Sequence, residues 1–389
     1  MNGRSASITI DVDPLRAYRA IHGLRRDGDG DQDRGKGKNG KKGGKSKGAK
    51  TKTNTETNTE TDLETNLEGE IEGEIETRGK DDVDEGPDAR ASDPIYTVAL
   101  PRFWSLIEEI GAPATVFVVG QDATRYAAAF EPAHRTGSEI ANHSFAHDYR
   151  LSRKGKEEID EDLERARLQL LPLAGPAGVV GFRAPGYNVS PTLLRCLVSA
   201  GYLYDASLLP APAYFGLRAA AIAAYALARQ PSASCVGHPL QFAGPLEPYR
   251  MTADRPWKPH PRGALVEIPI ACEPTTRIPI IGTTWAMFPA PFRRALLARA
   301  QARLGHLNFE MHAIDLLDAS DPGIPRDIVA RQRDLHIPLS QKIAAFRDLF
   351  ATLGRVARFR TLRDVAADLM SASSTDAKAS KDTRDTPPR

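Results

Sequence analysis

Short runs of apolar, β-branched residues alternate with amphipathic segments along most of the chain. The first run, at 7–12, has the composition of a strand that is buried on both faces. Later runs predict strands in ATVFVVG (114–120), EIAN, VVGF, YLY, ALVEIPIA, LNFEM and RFRTL. Helical spacing predicts helices in TVALPRFWSLIEEIG, at 123–136, in KEEIDEDLERARLQLL and TLLRCLVSAG, and near 292–303 and 340–353. This alternation predicts an α/β fold with a parallel sheet or barrel.

One long polar segment interrupts the alternation after the first strand. Residues 25–93 are rich in Gly, Lys, Thr, Asn, Glu and Asp, basic in the first half and acidic and repetitive in the second. Such a composition cannot bury enough apolar surface to offset the entropy of ordering the chain, so we expect a disordered insertion. The predicted organisation is a first strand within 1–24, the insertion at 25–93, the remainder of the fold at 94–370 and a disordered tail at 371–389.

Composition adds three expectations. The 389 residues, of which 41% are hydrophobic, suffice for a large core, and a formal net charge of +2 gives no reason to expect nucleic acid as a partner. The three cysteines form no C-x-x-C pair, which is typical of small buried residues in a reducing compartment. The sequence shows no apolar leader and no apolar stretch of about 18 residues, so we expect a cytoplasmic protein without a transmembrane segment.

Charged and imidazole side chains follow several of the predicted strands. They are Asp11 and Asp13, His143 and His147, Arg183, Asp205, and His312. Because the carboxyl ends of parallel strands open on one face of an α/β barrel, and that face carries the chemistry, we expect these side chains to meet there. Six other histidines have no motif around them, and we expect them on the surface or in loops: His22, His134, His238, His260, His306 and His336.

The local sequence HSFAH indicates a metal site. Its two histidines lie four residues apart, so one helical turn would put both rings on the same side. With one carboxylate they would form a two-histidine, one-carboxylate site with open positions for water. An incidental pair of histidines is the alternative. The D-x-D of residues 11–13 has its own alternative, the metal motif of a nucleotide-sugar transferase, although that enzyme class needs a nucleotide-binding half before the strand.

Five motifs in this order resemble the polysaccharide deacetylases, which have the NodB homology domain of carbohydrate esterase family four. They read TIDVDP, NHSFAH, FRAPGY, YDASL and FEMHAID. The first is similar to branches of the family in which one residue separates the two acids. Gly186 displaces the aromatic residue of the third motif, and the usual tryptophan downstream of the fourth is missing. The resemblance implies a distorted (β/α) barrel, similar to the TIM barrel, with the long insertion after its first strand.

The resemblance also implies which residues carry the reaction. It assigns the metal ligands as Asp13, His143 and His147, and it assigns Asp11 as the general base. The mixed nitrogen and oxygen donors of this set favour zinc as the divalent metal, with cobalt, nickel or manganese as alternatives.

Three further roles follow from the later motifs. His312 would protonate the leaving amine, helped by a carboxylate for which Asp205 is the first candidate and Asp315 a local alternative. Arg183 would pair with Asp11 and keep it ionised. A backbone N–H in the turn of the third motif would bind the oxyanion, and the turn residues are Pro185, Gly186 and Tyr187.

The predicted activity is hydrolysis of an N-acetyl or N-formyl group on an amino sugar. Candidate substrates are a small amino sugar, a nucleotide-linked or lipid-linked sugar and an oligosaccharide. The apolar stretch 217–230 (LRAAAIAAYALARQ) is expected to pack in the core, with peripheral contact to a membrane surface as the alternative. Two other functions stay open: a catalytically silent barrel that binds carbohydrate or a partner protein, and the glycosyltransferase named above.

Overall fold

Nine strands and twelve α-helices make up the part of the chain that the computed structural model describes, residues 3–24, 92–230 and 232–382. The strands are β1 Ser5–Val12, β2 Thr115–Val118, β3 Glu139–Asn142, β4 Gly181–Phe182, β5 Tyr204–Asp205, β6 Tyr249–Met251, β7 Leu265–Glu267, β8 His306–His312 and β9 Arg358–Phe359. The helices are α1 Leu15–Ile21, α2 Leu100–Ile110, α3 Gly120–Ala123, α4 Pro132–Thr136, α5 Lys156–Ala174, α6 Pro191–Ser199, α7 Pro212–Leu227, α8 Gly282–Met287, α9 Ala290–Arg303, α10 Arg326–Arg331, α11 Leu339–Gly354 and α12 Leu362–Asp382.

The strands form one sheet in which β1 has three partners. The order is β6-β7-β5-β4-β3-β2-β1-β8, and β9 also pairs with β1. Every pair is parallel except β6 with β7. Asp11 in β1 is level with Phe117 in β2 and with His312 in β8, so side chains that end these strands lie at the same edge of the sheet.

An irregular stretch of chain closes this sheet toward a barrel. After β7 the chain crosses to β8, where the Ala271 N–H donates to the Asn308 carbonyl at 2.9 Å. The Asn308 side chain donates to the Ile268 carbonyl at 3.2 Å. The α/β class and the distorted (β/α) barrel predicted from the sequence are confirmed, and the distortion lies between β7 and β8.

The two faces of β1 explain why the strand tolerates an acid near its end. Ile8, Ile10 and Val12 are fully buried in the main apolar core. The alternate side chains of Thr9 and Asp11 face the other side of the sheet, where Arg183 binds both. Apolar packing on one face therefore holds the register, while the other face presents polar groups to the barrel interior.

The segment 123–136, predicted as one helix, is divided. It contains the end of α3, a 3₁₀ turn at 127–130 and α4. Pro132 begins α4. Because proline lacks the N–H that would extend a preceding helix, it starts a new helix here.

α7 differs from the prediction for residues 217–230, which placed this stretch in the core. Of its side chains only Phe215 is buried, while Leu217 and Leu227 are 75% and 87% exposed. Alanine has the highest helix propensity, so this helix forms without a buried face. The prediction of core packing is therefore wrong. None of the described helices combines the length and the apolarity needed to cross a membrane.

The predicted boundaries of the insertion and the tail meet the described structure at two places. Asp93 accepts hydrogen bonds from the Leu15 N–H at 2.8 Å and from the Ile95 N–H at 2.9 Å, so this residue is part of the barrel. Residues 25–91 lie outside the described residues. α12 continues past the predicted boundary at 370 to Asp382, since this part of the sequence contains neither Gly nor Pro to stop a helix.

The structure also corrects the prediction for one of the histidines without a motif. His306 begins β8 and is buried, with its Nδ1 atom 2.9 Å from the Ser5 hydroxyl. The cysteines agree with the prediction, because Cys196, Cys235 and Cys272 are all free and buried.

Candidate active site

Five acidic, basic or imidazole side chains meet where the parallel strands end. Asp11 and Asp13 come from the end of β1, His143 follows β3, Arg183 follows β4, and His312 is the last residue of β8. All are buried except His312, whose side chain is 21% exposed. Distant pieces of the chain that the sequence singled out therefore share one pocket.

The tightest cluster in this pocket consists of Asp13, His143 and His147, which we call the Asp13 cluster. Asp13 Oδ1 lies 3.1 Å from Nε2 of His143 and 3.1 Å from Nε2 of His147. All three side chains are buried, yet Asp13 Oδ1 and His147 Nε2 have no hydrogen-bond partner among the described residues. Buried polar atoms normally have hydrogen-bond partners. Oxygen and nitrogen atoms that converge without such partners can act as ligands to a cation. One carboxylate and two imidazoles fit a divalent transition metal.

The sequence predicted that one helical turn brings the two histidines together, but the structure has no helical turn here. Residues 143–147 form an open bend in which Ser144 and His147 have left-handed backbones, with φ of 65° and 58°. Ser144 Oγ accepts a hydrogen bond from the His147 N–H at 3.0 Å. The Asp162 carboxylate accepts another from the Phe145 N–H at 3.0 Å. Non-glycine residues with this conformation are uncommon and concentrate at functional sites.

A backbone carbonyl fixes the orientation of the His143 ring. Its Nδ1 lies 2.8 Å from the Arg183 carbonyl oxygen, so in the neutral ring Nδ1 carries the proton and Nε2 directs its electron pair toward Asp13. Burial lowers the pKa of His143, but Asp11 and Asp13 outweigh it and raise that pKa. Burial raises the pKa of Asp13, and His147 and His143 together reverse this and lower it well below 3.8. Protons and a cation therefore compete for these atoms.

The predicted ion pair between Arg183 and Asp11 is confirmed. Arg183 is fully buried, and its Nη1 lies 2.6 Å from Asp11 Oδ1. The guanidinium also donates to Thr9 Oγ1 at 3.1 Å and lies over the Phe117 ring, 4.0 Å from its centre. The second carboxylate oxygen, Asp11 Oδ2, lies 3.9 Å from His143 Nε2. Asp11 thus stands beside the Asp13 cluster with one oxygen held by Arg183.

Glu310, not Asp205, is the carboxylate that contacts the His312 ring. Its Oε1 lies 3.0 Å from His312 Nδ1. The two side chains are two residues apart in β8 and therefore point to the same side of the strand. Burial lowers the pKa of His312, but Glu310 and then Asp13 outweigh it and raise the pKa to about 9. The local alternative, Asp315, accepts from the His312 backbone N–H at 2.9 Å rather than from the ring.

Asp205 supports the neighbouring turn instead. Its Oδ1 accepts from Ser207 Oγ at 2.5 Å, and the same hydroxyl accepts from the Ala184 N–H at 2.8 Å. Asp205 also shares a hydrogen bond with Glu267, and burial raises the pKa of Asp205 to about 6. Because Ser207 and Glu267 bind its carboxyl group, the predicted pairing of Asp205 with His312 is corrected.

The predicted oxyanion turn, Pro185–Tyr187, lies at the edge of the pocket. Gly186 and Tyr187 both have left-handed backbones, with φ of 62° and 64°. The Tyr187 N–H donates to the Ala184 carbonyl at 2.9 Å, so of the two predicted donors the Gly186 N–H is the better candidate. The Tyr187 hydroxyl lies 3.4 Å from His312 Nε2 and brings a further polar group to the site.

Asp11, Glu310 and His312 form a second group whose ligand atoms lie within 4.8 Å of one another. In this group the guanidinium of Arg183 already binds Asp11 at 2.6 Å, and a cation would have to compete with that positive charge. We therefore assign a cation to the Asp13 cluster.

A cavity of about 240 Å³ lies next to these side chains. Asp11, Asp13, His143 and His312 line one part of it, and residues of α1 and α7 line another. Five tyrosines also line it: Tyr18, Tyr149, Tyr187, Tyr214 and Tyr225. The volume is just below the roughly 300–1,000 Å³ of sites for drug-sized ligands, and it suits a group of the size of one sugar.

Sequence reasoning missed two residues of this site. Glu310 could have been found from the E-x-H spacing in the fifth motif, since alternate residues of a strand share a face. Arg218 lines the cavity and is the one charged residue within α7. A single charge in an otherwise apolar helix was the signal for it.

Solved structures give distant likenesses to this chain. A protein from Mycobacterium smegmatis assigned to the polysaccharide deacetylases shares 18% identity over 72% of this chain and 79% of that chain, with a TM-score of 0.46. A family 4 carbohydrate esterase from Streptomyces lividans, in complex with acetate, shares 13% identity over 65% and 83%, with a TM-score of 0.32. A CE4 family pseudoenzyme from Bacillus anthracis shares 12% identity over 70% and 61%, with a TM-score of 0.36. A search of curated proteins finds no match.

A protein-family model matches part of the chain. Residues 83–204 match the model described as polysaccharide deacetylase. This segment includes β2, β3 and β4, and with them the histidine pair of the Asp13 cluster and Arg183. Over this segment, which is less than half of the chain, the sequence is similar to the polysaccharide deacetylase family.

Proposed function

We propose that the protein removes an N-acyl group, acetyl or formyl, from an amino sugar by metal-assisted hydrolysis. The observation that carries this proposal is the meeting of the Asp13 cluster with Asp11 and His312 in one pocket. The family match supports a carbohydrate deacetylase, and hence a hydrolase that acts on a carbon–nitrogen bond.

The Asp13 cluster would hold the metal ion. We propose zinc, because it accepts mixed imidazole and carboxylate donors, with cobalt, nickel and manganese as alternatives. When bound, the ion supplies a positive charge that polarises the acyl carbonyl and lowers the pKa of water. The Arg183 carbonyl already fixes the His143 ring for this role, which reduces the rearrangement that binding requires.

Asp11 is the proposed general base that takes a proton from the attacking water. Arg183 holds its Oδ1 atom at 2.6 Å, which leaves Oδ2 to accept the proton. Because Asp11 is outside the donor cluster, its Oδ2 atom keeps the basicity that coordination would remove.

His312 is the proposed general acid, since an amine leaves readily only when it is protonated. Glu310 orients the ring through Nδ1, which turns Nε2 toward the pocket, 3.8 Å from Asp13 Oδ2. The proposed oxyanion donor is the N–H of Gly186, and one such donor is typically worth about 3 kcal/mol in the transition state.

Metal analysis combined with amine release tests this proposal. The purified protein should contain about one transition metal ion per chain and should release amine from N-acetylated or N-formylated amino sugars until a chelator is added. His143→Ala should lose the metal, whereas Asp11→Asn should keep the metal and lose turnover. His260→Ala, which changes an exposed histidine, is the control and should behave as wild type.

Each result has a distinct meaning. Normal turnover by Asp11→Asn would contradict the assignment of the base. A metal-loaded protein that binds sugar but releases no amine would favour the silent binding module instead. Transfer of sugar from a nucleotide donor would favour the glycosyltransferase.

We propose a precursor as the substrate, such as a small, nucleotide-linked or lipid-linked amino sugar or a short oligosaccharide. The cavity of about 240 Å³ supports this choice over the interior of a polymer chain. For a lipid-linked substrate, the exposed Leu217 and Leu227 on α7 would make the peripheral contact with the membrane surface. The proposed location is the cytoplasm, and the three free cysteines are compatible with a reducing compartment.

A further inference from the structure

α1 and α7 are joined at one wall of the cavity. His22 Nδ1 and the Tyr225 hydroxyl lie 2.9 Å apart. The Ser232 hydroxyl, in the segment after α7, donates to the Ile21 carbonyl at 2.5 Å. All four residues line the cavity, so the cavity is bounded on this side and does not continue there as an open groove.

Arg218 brings a positive charge into this wall. Its Nε donates to Ser234 Oγ at 2.8 Å, and its Nη1 donates to the Gly186 carbonyl at 2.9 Å. Within the described ranges of the chain, no ion pair includes Arg218. Arg183, the other guanidinium near the site, is neutralised by Asp11. The charge of Arg218 is therefore available to a ligand.

Glycine at position 186 allows the guanidinium to come this close. A Cβ atom at this position would lie 2.6 Å from Arg218 Nη2 and 2.9 Å from Tyr149 Cδ1. Arg218 is thus seated against the turn that carries the proposed oxyanion donor. With Nε and Nη1 held by the protein, Nη2 is the nitrogen left to bind a ligand.

From this geometry we propose that the substrate carries a phosphate ester and that Arg218 binds it. This inference rests on the proposed function and names the substrate class more closely. A guanidinium held in one orientation forms strong, charge-assisted hydrogen bonds to phosphate oxygens. The acyl group would occupy the proposed metal site, so the phosphate would lie at the Arg218 wall of the same cavity.

The test compares N-acetylglucosamine 1-phosphate with N-acetylglucosamine, using the full-length, metal-loaded protein. Wild type should prefer the phosphate. Arg218→Gln should lower kcat/KM for the phosphate by about 10- to 100-fold more than it lowers kcat/KM for the neutral sugar. Arg218→Lys keeps the charge but loses the planar guanidinium. Its kcat/KM for the phosphate should lie between the values of wild type and Arg218→Gln. Arg229→Gln, which removes an exposed charge just beyond the same helix, is the control and should change neither value.

Two further substrates identify the source of the phosphate. They are a nucleoside-diphosphate-linked N-acetylglucosamine and a polyprenyl-phosphate-linked N-acetylglucosamine in detergent micelles. Each should lose turnover in Arg218→Gln, and the one with the highest kcat/KM in wild type identifies the source. The same comparison made by calorimetric binding gives a readout that does not depend on turnover.

Several results would overturn the inference and leave the proposed function standing. They are equal kcat/KM for the two sugars in wild type, an equal loss for both in Arg218→Gln, and a preference for a carboxylate-bearing sugar over the phosphate. An equal loss for both sugars would mean that Arg218 only holds the turn at Gly186. If no sugar is hydrolysed, the proposed function fails and the claim about its substrate fails with it, but a loss of phosphate-selective binding in Arg218→Gln would still place a phosphate at Arg218.

Discussion

The two ends of the barrel both contain buried carboxylates, but these differ in how completely they are hydrogen-bonded. At the amino end, Glu139 is buried, and its oxygens accept from the Thr115 hydroxyl at 3.0 Å, the Tyr204 hydroxyl at 2.9 Å and the Arg363 N–H at 2.9 Å. At the carboxyl end, the Asp13 cluster is equally buried, but Asp13 Oδ1 and His147 Nε2 have no hydrogen-bond partner among the described residues. A buried charge with every bond made stabilises a fold, whereas one with bonds unmade is ready for a ligand.

A second contrast, in the pKa of histidine, appears within a single strand. β8 begins with His306 and ends with His312. Burial, with a contribution from Arg360, lowers the pKa of His306 to about 3. At the other end, the carboxylates around His312 outweigh its burial and raise its pKa to about 9. One strand thus carries His306, which stays neutral, at its amino end and His312, which holds its proton, at its carboxyl end beside the site.

The largest expected effect is at the carboxyl end. Asp11→Asn should lower kcat by about 10² to 10⁴-fold, because it removes the proposed general base. Amine-release kinetics on metal-loaded protein measures this. A variant with wild-type kcat would mean that Asp11, at the carboxyl end of the barrel, is not the general base.

The matching change at the amino end should cost stability rather than activity. Glu139→Ala leaves two buried hydroxyl donors without an acceptor, at roughly 1–3 kcal/mol each, so the free energy of unfolding should fall by at least about 2 kcal/mol. Urea unfolding measures the loss, and kcat per folded molecule should stay near wild type. If this variant does not fold, Glu139→Gln keeps an acceptor oxygen and permits the same comparison. A loss of kcat in the folded protein would contradict the division between the ends.

Glu310 tests whether a carboxylate at the functional end acts through its neighbour. Glu310→Gln should lower kcat by about 100-fold with little change in KM, because the His312 ring loses the group that orients it. Glu247→Gln is the control, since this acid binds the N–H groups of Gly305 and His306 at the other end of β8. Similar kcat values for the two variants would remove the role proposed for Glu310.

The smallest effect concerns His306 and acid. Its folded pKa of about 3 lies below its usual value of 6.5, so the unfolded chain binds a proton between these pH values and the folded chain does not. The contribution of His306 to stability is therefore complete above pH 6.5 and is lost as the pH falls. From pH 7 to pH 5 this amounts to about 2 kcal/mol. His306→Gln should flatten that part of the stability profile, and an unchanged slope would show that His306 is not held neutral.

The sequence predicted those parts of the site that depend on local pattern. Asp11 and Asp13 follow a β-branched run, and His312 ends another, so the strand ends alone placed them on one face. The bend at HSFAH could not be predicted, because Asp162, in α5, holds its backbone. The partner of His312 depends on which carboxylate shares its strand face, and motif order pointed to Asp205 instead. The exposure of α7 was also hidden, since periodicity does not distinguish a helix that needs a core from one that needs none.

The carboxylate of Asp93 has a consequence for how this protein can vary. It ties the start of α1 to the chain that resumes beyond the long polar segment. Both junctions are therefore anchored independently of what is spliced between them, and the entropic cost of a longer connection grows only logarithmically. We therefore expect that segments of very different length can replace residues 25–91 without loss of the barrel, provided that Asp93 is kept.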